Sequence, residues 1–509
     1  MCKSGHTAFL LLAYGHMPTA PHTLTIEQAA AALAAGEITS VALTQACLDH
    51  IAAYDAKINA FIRVDAELAL EQAAASDARR TAGKTLGPLD GIPYSLKDVY
   101  ATKDSPTTAA SHVLDKWTAP YNATVYTKLS EAGAVLLGKT NTDEFTMGAS
   151  TENSYYGVTR NPWDTERVAG GSSGGPTAAV AMHFGMYSIG TDTGGSIRQP
   201  AAFCGVNGLR ATYGRVSRFG ELAMASSLDQ TGPITKTARD AAIVLQVLAG
   251  HDPLDATSSQ EAVPNYLAAC TDIKGLKIGV PDEYFGQGID PEVEAKTREA
   301  FAQLEAQGAE IIPVSIPSVA HALAVYYIIC PAEVSSNMSR YDGIRYGYSI
   351  EKEHPEDITD LYSVYAQSRA HGIGAEVKRR IMLGTHVLSS GYYDAYYKKA
   401  QAVRNVVTAE FVEIFKQVDV LAAPVSPHIA FTIGSQIDDP LAMYKEDILT
   451  VPVNIASLPG MSVPCGFVRD LPVGLQLIAS HFREDLLCRV GAAYQQVTDF
   501  HLQTPKALQ

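Results

Sequence analysis

The chain has 509 residues, 47% of them hydrophobic and 18% charged, enough for a large buried core and unlike a disordered chain. Its formal net charge of −15 makes it a poor stand-alone nucleic-acid binder, because phosphate contacts need clustered Lys and Arg; it leaves room for a complex in which another subunit holds the nucleic acid. Seven cysteines, at 2, 47, 204, 270, 330, 465 and 488, form no CxxC pair, which points to buried thiols in a reducing cytoplasm rather than a disulfide framework or metal cluster.

The N-terminus opens with an apolar run, Ala8 to Tyr14, too short to cross a membrane and without a small-x-small cleavage site. Residues 1–20 read as a dispensable extension, with Met17 as an alternative start. No later segment reaches about 18 uninterrupted apolar residues, and a soluble protein is expected. "TIEQAAAALAAGEITSVALTQACLDHIAAYD" then predicts two helices broken at Gly36, with Ser40 as N-cap of the second. A third, from "DAELALEQ", ends at Gly83. "GPLDGIPYSLKDVY" gives turn residues and a short strand, "ATVYTKLSEAGA" a helix, and "VLLGKT" a strand. A helix is expected over Gly175–Gly185 with Pro176 in its first turn, followed by a strand in "MYSIGTDT". Further on come the strand "LKIGVP", a helix from Pro291 to Gly308, and the strand "EIIPVSI". A long helix over Tyr392–Gln417 precedes "DVLAAPV". The strands "MSVPCG" and "PVGLQLIA" and the helix "EDLLCRVGAAYQQV" close the chain. Strands alternating with helices argue an α/β layered fold, and no long linker divides it.

"GAVLLGKT", Gly133 to Thr140, matches the spacing of a phosphate-binding loop letter for letter. The context contradicts it. Such a loop needs strand, loop, helix in that order, whereas here a helix precedes and Ala-Val-Leu-Leu favours a buried strand ending at Gly138.

Two Ser/Gly stretches remain, "VAGGSSGGPTAAVAM" from Val168 and "GTDTGGSIRQPAAFCG" from Gly190. Glycines after a strand and before a helix let backbone N–H groups converge on a small space that suits an anion or a developing oxyanion. Ser196 beside those donors is a candidate nucleophile, and a nucleophilic serine needs a base. His183 is the one histidine close in sequence and falls in a helix. A desolvated lysine is the other chemical option, and Lys97 sits in an apolar run between Leu96 and Asp98. Taken alone, such a lysine reads as a surface residue.

Together, "GIPYSLKDVY", "AGGSSGGP" and "GTDTGGSIRQPAAFCGVNGLRATYGRVS" resemble the amidase signature family over roughly Leu24 to Asp499. The resemblance implies a single three-layer α/β/α domain over residues 21–505, with a mixed central sheet and N-terminal helices. It also implies a Ser–cis-Ser–Lys triad for hydrolysing carboxamides. Carried over by motif, Ser196 is the nucleophile, Ser172 the bridging serine beside a cis peptide bond, and Lys97 the base. The N–H groups of Thr193, Gly194, Gly195 and Ser196 form the oxyanion hole, and Ser173 hydrogen-bonds within the network. Pro176 and Ala169 stand where many relatives have Ser and Pro.

Downstream stretches, among them "AEVSSNMSRYDGIRYGY", "EVKRRIMLGTHVLSSGYYD" and "DPLAMYKEDILTVPVNIASLPGMSVPCG", resemble the family's branch of tRNA-amidotransferase A-type subunits. This implies glutamine as amide donor, Arg380 as clamp for its carboxylate, Asp447 for its α-amino group, and Tyr327 completing the pocket. Arg379 and Asp439 are close alternatives. It further implies no cofactor in this chain. Partner B and C subunits would complete a heterotrimer, with the B-type partner using ATP and Mg²⁺ on misacylated tRNA. A free-standing amidase of the same family, acting on small carboxamides, is the alternative; a non-catalytic nucleotide binder would leave Lys97 and Ser196 unexplained.

Overall fold

A computed structural model describes residues 20–286 and 288–508, so the N-terminal extension lies outside the described residues but for Ala20. Among the described residues thirteen strands form, numbered in chain order. The first eight are β1 (Phe61–Val64), β2 (Pro93–Lys97), β3 (Val135–Thr140), β4 (Arg160–Asn161), β5 (Asp164–Val168), β6 (Tyr187–Thr191), β7 (Asn207–Arg210) and β8 (Thr231–Thr235). The rest are β9 (Lys277–Pro281), β10 (Glu310–Val314), β11 (Val420–Pro424), β12 (Gly460–Val468) and β13 (Leu471–Ala479). Eleven make one sheet, ordered β1-β3-β2-β6-β8-β7-β12-β13-β11-β9-β10, while β4 and β5 pair separately. The sheet is mixed, as expected: β2 runs parallel to β3 and β6, whereas β6–β8, β7–β12 and β12–β13 are antiparallel. Helices cover both faces, and β2, β3, β6 and β11 are accordingly buried at every residue.

Most predicted elements form near their expected bounds. The second helix, Ser40–Ile58, is capped one residue earlier than expected. Thr39 Oγ1 accepts the Ala42 N–H at 3.1 Å, while Ser40 Oγ donates inward to Gly91 O at 2.9 Å. β3 runs on to Thr140, past Gly138, because both its neighbours continue to pair with it. "GAVLLGKT" is thus a turn and a buried strand, and Lys139 Nζ donates to Tyr100 O and Thr107 Oγ1 at 2.9 Å each. The helix expected to reach Gly185 ends at Ala181, with His183 in the left-handed region (φ 57°). The long helix predicted from Tyr392 begins with a π-helical turn, Tyr393–Lys398, and continues as Lys399–Ile414. Six described cysteines are free thiols, five of them buried; Cys2 lies outside.

The pattern left several elements unpredicted, among them β1, β7, β8 and the helices Ala322–Asn337 and Ala375–Leu388. The stretch Pro317–Arg340 is long and apolar enough to cross a membrane by length and composition, yet 56% of that window is buried inside the protein. The helix Ala375–Leu388 packs against it. Gly384 permits the approach, since a Cβ there would lie 1.8 Å from Pro331 O. This crossing sets where Tyr327 and Arg380 stand.

Candidate active site

Lys97 ends β2, between the ends of two parallel neighbours, and is completely buried. Its Nζ lies 2.8 Å from Ser172 Oγ, 2.9 Å from Ser173 Oγ and 2.8 Å from Thr191 Oγ1. Among the described residues no carboxylate pairs with it. Burial lowers its pKa from 10.5 to about 7, against the more distant pull of Asp143, Glu221, Asp192 and Asp229. Near pH 7 roughly half the molecules then carry a free amine, against on the order of one in 10³ for an exposed lysine. Ser173 donates its own proton to Thr191 O at 3.1 Å. Ser172 Oγ has no acceptor besides Nζ among the described residues, so of the two serines it is the one free to give the amine its proton.

The Gly171–Ser172 peptide bond is cis, as expected from the resemblance. Ser173 N–H donates to Ser196 O at 3.1 Å and joins the two serine-bearing segments directly. Gln199 joins them again: its Oε1 accepts Gly171 N–H at 3.0 Å. Ser196, 7% exposed, has a side chain that enters none of the hydrogen bonds among the described residues, and none joins it to Ser172 Oγ. The relay is therefore closed from Lys97 to Ser172 and open from Ser172 to Ser196 in this state.

The backbone N–H groups of Thr193, Gly194, Gly195 and Ser196 donate no hydrogen bond among the described residues, whereas those of Asp192 and Ile197 on either side are paired. Four consecutive undonated N–H groups suit an oxyanion. The segment is held from beneath by Asp192, which accepts from Arg198, Arg210, Asn454 and the Ile197 N–H. Burial alone would raise the Asp192 pKa; Arg198 and Arg210 outweigh it and hold the carboxyl well below its usual range. Thr193 Oγ1 donates to Asp229 Oδ1 at 2.7 Å. Gly195 has φ 140°, and a Cβ there would lie 2.1 Å from Thr450 Oγ1. Gly195→Ala is expected to cost about 2 kcal/mol or more of stability and to abolish amide hydrolysis; urea unfolding and an ammonia-release assay check both.

A second cluster stands beside that segment. Arg380 is 3% exposed, and its Nε donates to Glu376 Oε1 at 2.8 Å, as does Tyr444 Oη at 3.0 Å. The guanidinium lies 5.6 and 5.5 Å from the ring centroids of Tyr327 and Tyr444, which stack on each other at 4.0 Å. Neither Nη donates to another described residue, leaving a planar fork for a carboxylate. Tyr327 Oη donates to Asp447 Oδ2 at 3.4 Å. Burial pushes the Asp447 pKa up to about 8, with Arg380 opposing and Glu446 assisting the rise. The two alternatives separate by geometry. Arg379 points outward and pairs with Glu376, and Asp439 caps the helix Pro440–Lys445 by accepting Leu441 and Ala442 N–H.

Sequence reasoning missed several residues that hold this site. Thr191, the third hydroxyl on Lys97, lies within the quoted glycine-rich stretch, but its role depends on where β6 ends. Asp143 accepts Thr151 and Asn153 N–H, and Gln199 and Thr450 act across long separations without any local signal. His183 is half-buried, makes no hydrogen bond to Lys97, Ser172 or Ser196 among the described residues, and stands near Lys236, His22 and His50, which with desolvation hold its pKa far down.

The family model described as Amidase matches residues 42–488. The chain is 54% identical over 485 residues to the A-type component of a glutamyl-tRNA(Gln) amidotransferase of Chloroflexus aggregans, covering 95% of this chain and 98% of that one. A protein of the same name from a Roseiflexus species is 55% identical over 485 residues, again covering 95% and 98%. The solved structure of the corresponding A-type component of the glutamyl-tRNA(Gln) amidotransferase from Thermotoga maritima superposes with a TM-score of 0.79 at 40% identity, covering 95% of this chain and 97% of that one. With its family model matched from 42 to 488 and the two loops and the lysine in place, the chain belongs to the amidase family.

Proposed function

We propose that this protein is the glutaminase component of a tRNA-dependent amidotransferase, working through Lys97, Ser172 and Ser196. The observation that carries the chemistry is a fully buried lysine whose hydrogen-bond partners among the described residues are three hydroxyls. The observation that supports the substrate is the buried Arg380 fork beside Asp447 and Tyr327, together with the names of the relatives.

In this reading the α-carboxylate of glutamine lies on the Arg380 Nη groups and its α-ammonium on Asp447, which ionises as the cation arrives. Binding brings Ser196 Oγ onto Ser172 Oγ and closes the relay. Neutral Lys97 takes the Ser172 proton while Ser172 takes that of Ser196. Ser196 Oγ then forms a bond to the side-chain carbonyl carbon. The oxyanion is met by the free N–H groups of Thr193 to Ser196. Collapse breaks the C–N bond, and Lys97 returns its proton through Ser172 to the leaving ammonia. Water releases glutamate by the same path reversed. The ammonia passes to a B-type subunit that activates misacylated tRNA with ATP and Mg²⁺, in a cytoplasmic heterotrimer braced by a C-type subunit. This chain needs no cofactor for its own step.

Arg380→Ala is expected to raise KM for glutamine about 100-fold while changing turnover of a simple amide by less than about threefold; parallel steady-state assays on both substrates decide it. Co-purification with B- and C-type subunits, followed by glutamine-dependent amidation of Glu-tRNA(Gln) or Asp-tRNA(Asn), tests the function as a whole. Efficient hydrolysis of simple amides by the chain alone, with no tRNA-linked activity, would overturn it.

A further inference from the structure

The glutamine-facing cluster and the oxyanion segment come from distant parts of the chain, yet one side chain touches both. Thr450 Oγ1 lies 2.6 Å from Gly194 O, 256 residues away in sequence, and 3.2 Å from Asp447 O. Thr450 N–H also donates to Asp447 O at 3.1 Å. The carbonyl of Thr450 accepts from Arg198 Nη1 at 3.2 Å, and Arg198 in turn holds Asp192. Thr450 is itself completely buried, and its side chain packs onto Gly195, where any Cβ would collide with it.

Gly194 O and Gly195 N–H are the two ends of one planar peptide unit, so fixing the carbonyl fixes where the N–H points. That N–H is one of the four that donate to nothing among the described residues. A hydroxyl has a single hydrogen. With Gly194 O near and Asp447 O farther, movement of the Asp447 main chain changes how firmly that hydrogen is given to Gly194. We propose that Thr450 is a positioning residue that aims the Gly195 N–H at the reacting carbonyl and ties that aim to occupancy of Asp447. The tie rests on the reading of Arg380 and Asp447 as the glutamine clamp. Its consequence is a specificity device: an amide lacking the α-amino group is hydrolysed with a less well-aimed donor.

The test uses the full-length protein with whatever subunits copurify, and two substrates, glutamine and butyramide. Thr450→Val is expected to lower kcat for glutamine about 10- to 100-fold, part of what a lost oxyanion donor costs, with KM changed less than about threefold. Butyramide should lose less, so the ratio of kcat/KM between the two substrates narrows about tenfold. Thr450→Ser, which keeps the hydroxyl, should recover glutamine turnover to within about threefold. Equal losses on both substrates, an effect on KM alone, or failure of the serine variant to rescue each overturns the proposal. Should the added methyl of valine unfold the protein, as thermal melting would show, Thr450→Ala is assayed under the same criteria. Arg380→Ala is run alongside. If it narrows the ratio and Thr450→Val does not, the Thr450 proposal alone fails. If Arg380→Ala leaves the ratio unchanged, the clamp fails, and the tie to Asp447 with it.

Discussion

Ser196→Ala is expected to abolish glutamine hydrolysis, by a factor on the order of 10⁴ or more, and to leave the fold intact. Three neighbouring hydroxyls are already engaged, that of Thr450 by donating to Gly194 O. Ser172 Oγ is held on Lys97 Nζ at 2.8 Å, and Thr193 Oγ1 is committed to Asp229. The structural cost is small for a definite reason. Ser196 Oγ enters none of the hydrogen bonds among the described residues, so its loss leaves no buried partner unsatisfied. A stability change within about 0.5 kcal/mol is expected. Ammonia release, trapping of a glutamyl-enzyme by mass spectrometry, and a thermal melt together check it.

Lys97 variants come second in size of effect. Lys97→Ala removes the base and is expected to reduce activity by a factor on the order of 10³ to 10⁴. Lys97→Arg should rescue nothing, because a guanidinium does not release its proton at any working pH. Lys97→Met keeps the chain length without the amine; it should be as inactive as the alanine variant, with stability equal to or above that of the natural protein, since no amine is left to desolvate. The sign of the pH dependence follows from the same cause. Burial holds the lysine at about 7, so activity is complete above that value. It falls about tenfold per pH unit below it, as the amine takes up a proton and ceases to accept one. Steady-state kcat/KM measured between pH 5 and 9, and its acid limb in particular, reads this directly; an acid limb near 10 would mean an exposed, ordinary lysine.

What the residues made legible was local. Strand ends followed by Ser/Gly runs announce backbone brought close to a reaction centre, and only beside those runs does Lys97, which alone reads as a surface residue, become a candidate for an amine removed from water. The paired choices were not legible. Arg379 and Arg380 are about 100° apart on a helix, so one faces in and the other out, and only the packing of Gly384 on Pro331 decides which. Asp439 and Asp447 lie at the two ends of the short helix Pro440–Lys445 and its last turn, and only the structure assigns Asp439 to the cap. The helix Ala322–Asn337 has buried or half-buried residues on most of its sides, which blurs the periodic stripe by which a helix is recognised. The turn joining β12 and β13 carries Arg469 and Asp470 at positive φ instead of Asn-Gly, so its hairpin gave no turn signal. Gln199 acts through Gly171 and Ala149, and Thr450 and Asp192 each add to their near neighbours a partner 256 and 262 residues away, Gly194 and Asn454 respectively.

The central claim, that an uncharged buried Lys97 activates Ser196 through Ser172, is tested most directly by labelling with a fluorophosphonate across pH, followed by peptide mapping. A single adduct on Ser196 is expected, forming with half-maximal rate near pH 7 and lost in Lys97→Arg. Labelling of another serine, or a rate on Ser196 that ignores both pH and the Lys97 substitution, would contradict it.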